Sequence, residues 1–349
     1  MTDLCTPLRL GALDLPNRII MAPMTRSRAD ESGAPHSYVA DYYAQRATAG
    51  LILSEALFIS PMAKGYVRTP GLVTNAQTRA WRGVTDAVHN ADGRIFAQLY
   101  HAGRVALPEF LPSGALPIAP SARAINGFNQ TDEGKKPFVT PRALETEEVP
   151  RVAEEFGNAA ARAIEAGFDG VEVHAASGYL IQQFLDAGIN DRTDRYGGSA
   201  ANRIRFLLDV VDATTGRIGA DRVGVKVSPR IKFNGVIELD ADDVYPVVAR
   251  ELSSRRIAYL HGAKQGEYDV HCLRSKFKGA YLAGAGFDSR SAKAMLKNGA
   301  ADAIVFGKPY IANPDLTGRL RDGLPVADAD QSTIYSGNER GYVDYPTHS

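Results

Sequence analysis

Residues 281–308 read YLAGAGFDSRSAKAMLKNGAADAIVFGK. Tyr281-Leu282-Ala283 is a short apolar run, Ser289 to Asn298 has helical spacing, and Ala303-Ile304-Val305-Phe306 is a second apolar run. Each run ends on glycine: Gly284-Ala285-Gly286 after the first, Gly307-Lys308 after the second. Runs that are apolar throughout, rather than alternating, are what a parallel strand buried on both faces requires. Two such strands joined by a helix form a βαβ crossover, which is nearly always right-handed.

The same unit recurs toward the N-terminus. Arg18 to Met21, Gly50 to Ser54, Arg94 to Leu99, Gly170 to His174, Gly224 to Val227 and Ile257 to Leu260 read as six more strands. Helical stretches at Tyr38 to Ala49, Asn75 to His89, Thr146 to Ala166, Ala200 to Ile218 and Asp240 to Ser253 alternate with them. A last helix is read at Pro314 to Arg321, and Tyr268 to Phe277 is ambiguous. Eight strands with crossovers predict an α/β fold, a (β/α)8 TIM barrel. The alternative is an open doubly wound sheet. No G-x-G-x-x-G follows the first strand, which weighs against its dinucleotide-binding form. Residues 1–349 are expected to form one barrel domain. A stretch rich in Pro, Gly, Ser and Asn, about 105–143, is expected to be a cap inserted after the third strand.

Lys plus Arg and Asp plus Glu number 40 each, for a formal net charge of zero. That balance argues against a nucleic-acid partner or an anionic membrane surface. Cys5 and Cys272 have neither metal-ligand nor disulfide-framework spacing, so no metal is expected. No basic-then-apolar leader or membrane-length apolar run is visible, so a cytoplasmic location is expected. Monomer and homodimer are both open.

In such a barrel, chemistry gathers at the C-terminal ends of the strands. Pro23-Met24-Thr25, Glu55-Ala56, Gln98 to His101, His174, Lys226, His261, Gly284 to Gly286 and Gly307-Lys308 fall there. The last two clusters read as a phosphate site, since glycine lets backbone N–H groups approach an anion. Their plainer reading is tight turns. His174 can donate a hydrogen bond to a substrate oxygen, and Tyr179, five residues on, can supply a proton. The plainer reading of that pair is a satisfied core histidine and a packing tyrosine. Lys226 inside an apolar strand needs a partner. It serves either as a Schiff-base nucleophile or as a charge facing an anionic cofactor, and spacing does not choose.

An ordered set of motifs goes further: residues 16–26 (PNRIIMAPMTR), 42–46 (YYAQR), 64–66 (KGY), 98–104 (QLYHAGR), 190–199 (NDRTDRYGGS) and 310–316 (YIANPDL). With them the chain resembles, over nearly its whole length, the old yellow enzyme family of FMN-dependent ene-reductases. The resemblance implies bound FMN, reduced by NADPH or NADH. It also implies an activated alkene as substrate: an α,β-unsaturated carbonyl, a maleimide or a nitroalkene. It further implies that Pro23, Met24, Thr25, Ala56 and Gln98 contact the flavin ring and that Gly284, Gly286, Gly307 and Lys308 hold its phosphate. By the same resemblance His174 binds the substrate oxygen, Tyr179 protonates the alkene, and Tyr66, Tyr100 and Tyr335 shape the substrate pocket. His101 and Arg104 are expected to be structural, Trp81 core, and His36 and His89 surface residues.

Three positions depart from the family pattern. Ser177 stands where a second donor, His or Asn, is usual, and Lys226 and Lys308 stand where Arg is usual. Serine reaches less far, and lysine keeps the charge but loses the bidentate fork. Two alternatives to an ene-reductase remain at this stage: a Schiff-base aldolase using Lys226, and a flavin- or phenol-binding protein whose catalysis has decayed.

Overall fold

The computed structural model describes residues 3–264 and 268–348. Eight parallel strands close into a barrel: β1 (Ile19–Met21), β2 (Leu51–Phe58), β3 (Ile95–Tyr100), β4 (Gly170–Ala175), β5 (Val223–Val227), β6 (Tyr259–Ala263), β7 (Ala280–Gly284) and β8 (Ala303–Phe306). Each strand pairs with its sequence neighbours, and β8 returns to β1 through Phe306 and Met21. This closure is the (β/α)8 architecture and excludes the open sheet.

Two apolar layers hold it. Ile20, Leu53, Phe96, Tyr259, Leu282 and Val305 form one buried cluster with Leu10 and Leu15 of an N-terminal hairpin, Leu8–Leu10 and Leu13–Leu15. That hairpin shares the interior core of the lower barrel. The second layer lies between the sheet and the outer helices, where Val152, Phe156 and Ala160 of the helix Val149–Glu165 meet Phe206, Leu207 and Val210 of the helix Arg205–Ile218. Trp81 is fully buried in it, while His36 and His89 are exposed.

Local sequence chemistry sets several boundaries. The helix Asn75–Asn90 begins with a capping box between Thr74 and Gln77. The stretch expected as one helix from Ala200 is split into Ala200–Arg203 and Arg205–Ile218. The stretch from Tyr38 stays α-helical only to Ala44, then tightens into three-residue turns that bury Arg46 against the carbonyls of Tyr310 and Ile311. Strand β6 lies two residues later than expected, because the Ala258 N–H bonds back to Ala220 and Val223 before the ladder starts. After β6, the ambiguous stretch contains a short 3-10 turn, Val270–Ser275.

Residues 105–143 contain three 3-10 turns or their ends, a two-residue strand pairing (Ile118–Ala119 with Arg142–Ala143) and a hairpin (Phe128–Thr131 with Gly134–Pro137). Val105, Leu111, Ile118 and Ile125 are buried in the main core cluster. The segment is tied down by the 190–199 motif. The Arg192 guanidinium donates to the carbonyls of Pro120 and Leu144 and pairs with Asp194, which also accepts from the Thr146 hydroxyl. The motif is thus a clamp on the body of the protein.

Candidate active site

The strand ends surround a cavity of about 1170 Å³. Its lining brings together Pro23, Met24, Thr25, Ala56, Gln98, His174, Ser177, Tyr179, Lys226, Gly284, Gly286, Gly307 and Lys308, from seven of the eight strands or the loops that follow them, and His261 adds the eighth, β6. Tyr66 and Tyr335 line it too. Tyr100 stands one layer back. It is 1% exposed, its ring packs tilted against Tyr179 with centroids 5.2 Å apart and planes at 60°, and its hydroxyl accepts from the Gly65 N–H. Tyr100, expected to shape the substrate pocket, is thus not part of the cavity lining and packs behind Tyr179.

The turn after β4 aims the two chemical groups. Ser177 and Gly178 both have positive φ, 60° and 75°, so the chain reverses sharply before the helix Leu180–Leu185. The Ser177 N–H donates to Ser228 Oγ, the Gly178 N–H donates to Gln182 Oε1, and the Gly178 carbonyl accepts from Gln183. The reversal sets Tyr179 edge-on to His174, with centroids 4.9 Å apart and planes at 87°. The Ala176 N–H donates to His174 Nδ1 at 3.3 Å. An imidazole accepting at Nδ1 carries its proton on Nε2, so His174 is a neutral donor at Nε2. Burial, then the nearby Lys226 and His261, hold its pKa well below the ordinary histidine value, so the ring stays neutral. Burial holds the Tyr179 hydroxyl pKa well above 10, so it stays protonated. His101, expected to be structural, is buried and its Nδ1 accepts from the Gly103 N–H. Arg104 donates to the carbonyls of Arg123 and Gly235.

Beneath the mouth lies a charged cluster in which Lys226 and His261 meet Glu172, a residue that the sequence did not single out. Glu172, fully buried, accepts from Gln98 Nε2 at 2.7 Å and pairs with His261 Nδ1 at 3.0 Å. Lys226 is opposite His174 and His261 in the strand register. Burial raises the Glu172 pKa, but His261, Lys226 and Gln98 pull it back below the usual carboxylate value, so it is ionised. Burial lowers the Lys226 pKa, and Glu172 opposes that. Glu172 also fixes the Gln98 amide, whose nitrogen must face the carboxylate.

The glycines have separate causes. A Cβ at Gly284 would sit 2.5 Å from His261 Nε2, so this position is glycine because the histidine packs over it. Gly286 has φ +80° and a Cβ there would meet nothing within 4 Å, while one at Gly307 would approach only Ala22 and Met24, at 3.6 and 3.8 Å. These two leave backbone bare toward the cavity, as an anion cradle requires. With exposed Lys308 beside them, a phosphate fits. A planar polar ring fits the Thr25, Gln98 and Lys226 donors. The donor set and the bare backbone together suit FMN.

Arg26 and Arg28 also escaped the sequence reading as site builders. Arg26 donates to the carbonyls of Ile334 and Gly341, and Arg28 to those of Thr333, Ile334, Ser336, Asn338 and Arg340. Tyr342 stacks on Tyr42 at 3.9 Å with the Arg28 guanidinium 4.5 Å from its centroid. This lattice fixes the C-terminal strap that brings Tyr335 to the rim.

A family model described as NADH:flavin oxidoreductase / NADH oxidase matches residues 3–327. The chain is 38% identical to 12-oxophytodienoate reductase 1 of Oryza sativa subsp. japonica, over 98% of this chain and 92% of the relative. It is 39% identical to a probable flavin mononucleotide-dependent alkene reductase of Leishmania infantum, over 97% of this chain and 96% of the relative. The solved structure of morphinone reductase in complex with tetrahydroNAD superposes with a TM-score of 0.96 at 46% identity, covering 100% of this chain and 98% of that one.

Proposed function

This chain belongs to the NADH:flavin oxidoreductase / NADH oxidase family, that of the old yellow enzymes, and from that premise we propose how its barrel mouth works. It is an FMN-dependent oxidoreductase that draws on NAD(P)H to reduce the C=C bond of activated alkenes. In our reading Gly286, Gly307 and Lys308 would hold the FMN phosphate. Thr25, Gln98 and Lys226 would hold the ring edge, and Pro23, Met24 and Ala56 would pack on it. When bound, FMN would supply the hydride chemistry that links the nicotinamide to the alkene β-carbon.

The protein's part is electrostatic and acid–base. His174 Nε2 donates to the carbonyl or nitro oxygen of the substrate, where negative charge grows during reduction. A donor fixed beforehand stabilises that charge more than it stabilises the ground state. Tyr179 gives its proton to the α-carbon and retrieves one from solvent. Tyr66 and Tyr335 bound the substrate, and the apolar walls exclude water. The single observation that carries this reading is the pairing of a neutral Nε2 donor with a protonated phenol, edge to face, over one cavity.

This reading disfavours the aldolase alternative, since Lys226 is absorbed in a charge cluster with Glu172 and His261. A decayed site is also disfavoured, because His174 and Tyr179 keep the geometry for turnover. The test is the visible spectrum of purified protein. Flavin absorbance is expected, bleached by anaerobic NADH or NADPH and restored by 2-cyclohexenone. Colourless protein that takes up no FMN in excess would overturn the proposal.

Ser177 leaves the oxygen clamp one donor short. Its φ of 60° is a conformation that Asn tolerates better than most residues. Ser177→Asn is therefore expected to add a donor without backbone cost. One more hydrogen bond, about 1 kcal/mol, should raise kcat/KM for 2-cyclohexenone by roughly fivefold. Unchanged steady-state kinetics would mean that the substrate oxygen already has its second partner.

A further inference from the structure

We propose that Asn234 is a positioning residue for the proton donor Tyr179, acting through the Tyr66 hydroxyl. The inference rests on the reading of Tyr179 given above. It concerns the 229–240 loop after β5, which no motif marked.

Asn234 has φ +52°, a left-handed conformation that Asn accepts. Its Nδ2 donates to the Ser177 carbonyl at 2.8 Å and to the Tyr66 hydroxyl at 3.4 Å. The Ser177 carbonyl can only accept, so it fixes which amide atom is nitrogen. The second N–H then points at Tyr66. Tyr66 and Tyr179 hydroxyl oxygens are 3.2 Å apart. The Tyr179 hydroxyl donates to the Tyr66 oxygen, which therefore accepts from both Asn234 and Tyr179, so Asn234 fixes the oxygen against which the acid is held. The Tyr179 oxygen is thereby held at the cavity wall, and its proton turns about the C–O bond from Tyr66 to the arriving α-carbon. When the Tyr179 O–H bond breaks and the new C–H bond forms, the Tyr66 hydroxyl, still accepting from Asn234, turns its own proton to the phenolate until solvent returns one to Tyr179.

The loop is built to hold this amide still. Glu238 accepts from the Arg230 N–H, Gln182 and Tyr245. Asp186 accepts from the Ile237 and Glu238 N–H groups, and the Gly235 carbonyl accepts from Arg104. A Cβ at Gly178 would lie 2.6 Å from the Asn234 Cβ, so the loop sits directly on the turn that aims Tyr179.

The test uses FMN-loaded enzyme and two substitutions. Asn234→Asp keeps size and left-handed tolerance but loses both donors, and Asn234→Gly keeps the backbone freedom. For both, anaerobic stopped-flow is expected to show reoxidation by 2-cyclohexenone slowed at least tenfold. The KM for the enone should stay within threefold, and the solvent isotope effect on reoxidation should rise. Reduction by NADH, which draws no proton from Tyr179, should slow by less than twofold. Adding Asn234→Asp to Tyr66→Phe should cost nothing further. Reoxidation within twofold of the parent, equal slowing of both half-reactions, or additive losses in the double variant would overturn the proposal. A parent enzyme that binds FMN and turns over while the variants match it sinks this inference alone. A parent that fails to be reoxidised by the enone sinks the functional reading with it.

Discussion

Reoxidation of the reduced enzyme by an enone is expected to slow by about 10²–10⁴-fold in Tyr179→Phe, the usual worth of a positioned general acid. The substitution isolates the hydroxyl. Tyr179 is 8% exposed and its ring contacts His174, Tyr66 and Tyr100, and Phe retains those faces. Stability should therefore fall little, since the hydroxyl's partner is another hydroxyl at the cavity wall. Because burial keeps the phenol pKa well above 10, the parent's rate should show no alkaline limb from this group below pH 10. The measurement is stopped-flow reoxidation across pH 6–10. A Phe variant as fast as the parent would transfer the acid role elsewhere.

How much of this was legible beforehand depends on range. The eight strands were visible because each is apolar throughout, and the cavity lining followed from where those strands end. The proton donor and the oxygen donor lie five residues apart, so a local string held both. Glu172 was not visible as a site residue, although it stands two residues before His174. Its meaning comes from Gln98 and His261, 74 and 89 residues away, which closure of the barrel brings to one carboxylate. Asn234 is similar: its partners Ser177 and Tyr66 are 57 and 168 residues distant. A polar residue within a barrel strand was the one available signal for Glu172, because an unpaired buried charge is costly. Gly284 shows the converse. Its place beside Gly286 suggested an anion, whereas its lack of a side chain answers to His261.

That buried cluster supplies the second large effect. Lys226→Met is expected to weaken FMN binding by roughly 30–100-fold, about 2–3 kcal/mol. Two contributions have the same sign. The cation that would face the flavin edge is lost, and Glu172 loses part of what keeps its charge tolerable in a fully buried site. Removing the direct partner of a buried ion typically costs about 3–5 kcal/mol. Here His261 and Gln98 remain on the carboxylate, so the penalty should be smaller. The contributions separate in a double variant. Glu172→Gln added to Lys226→Met removes the stranded charge. It should restore part of the apoprotein's thermal stability while leaving FMN affinity low. FMN titration of apoprotein by fluorescence quenching, alongside thermal melts, reads both quantities. Unchanged FMN affinity in Lys226→Met would place the lysine outside the cofactor site and leave it a counter-charge for Glu172 alone.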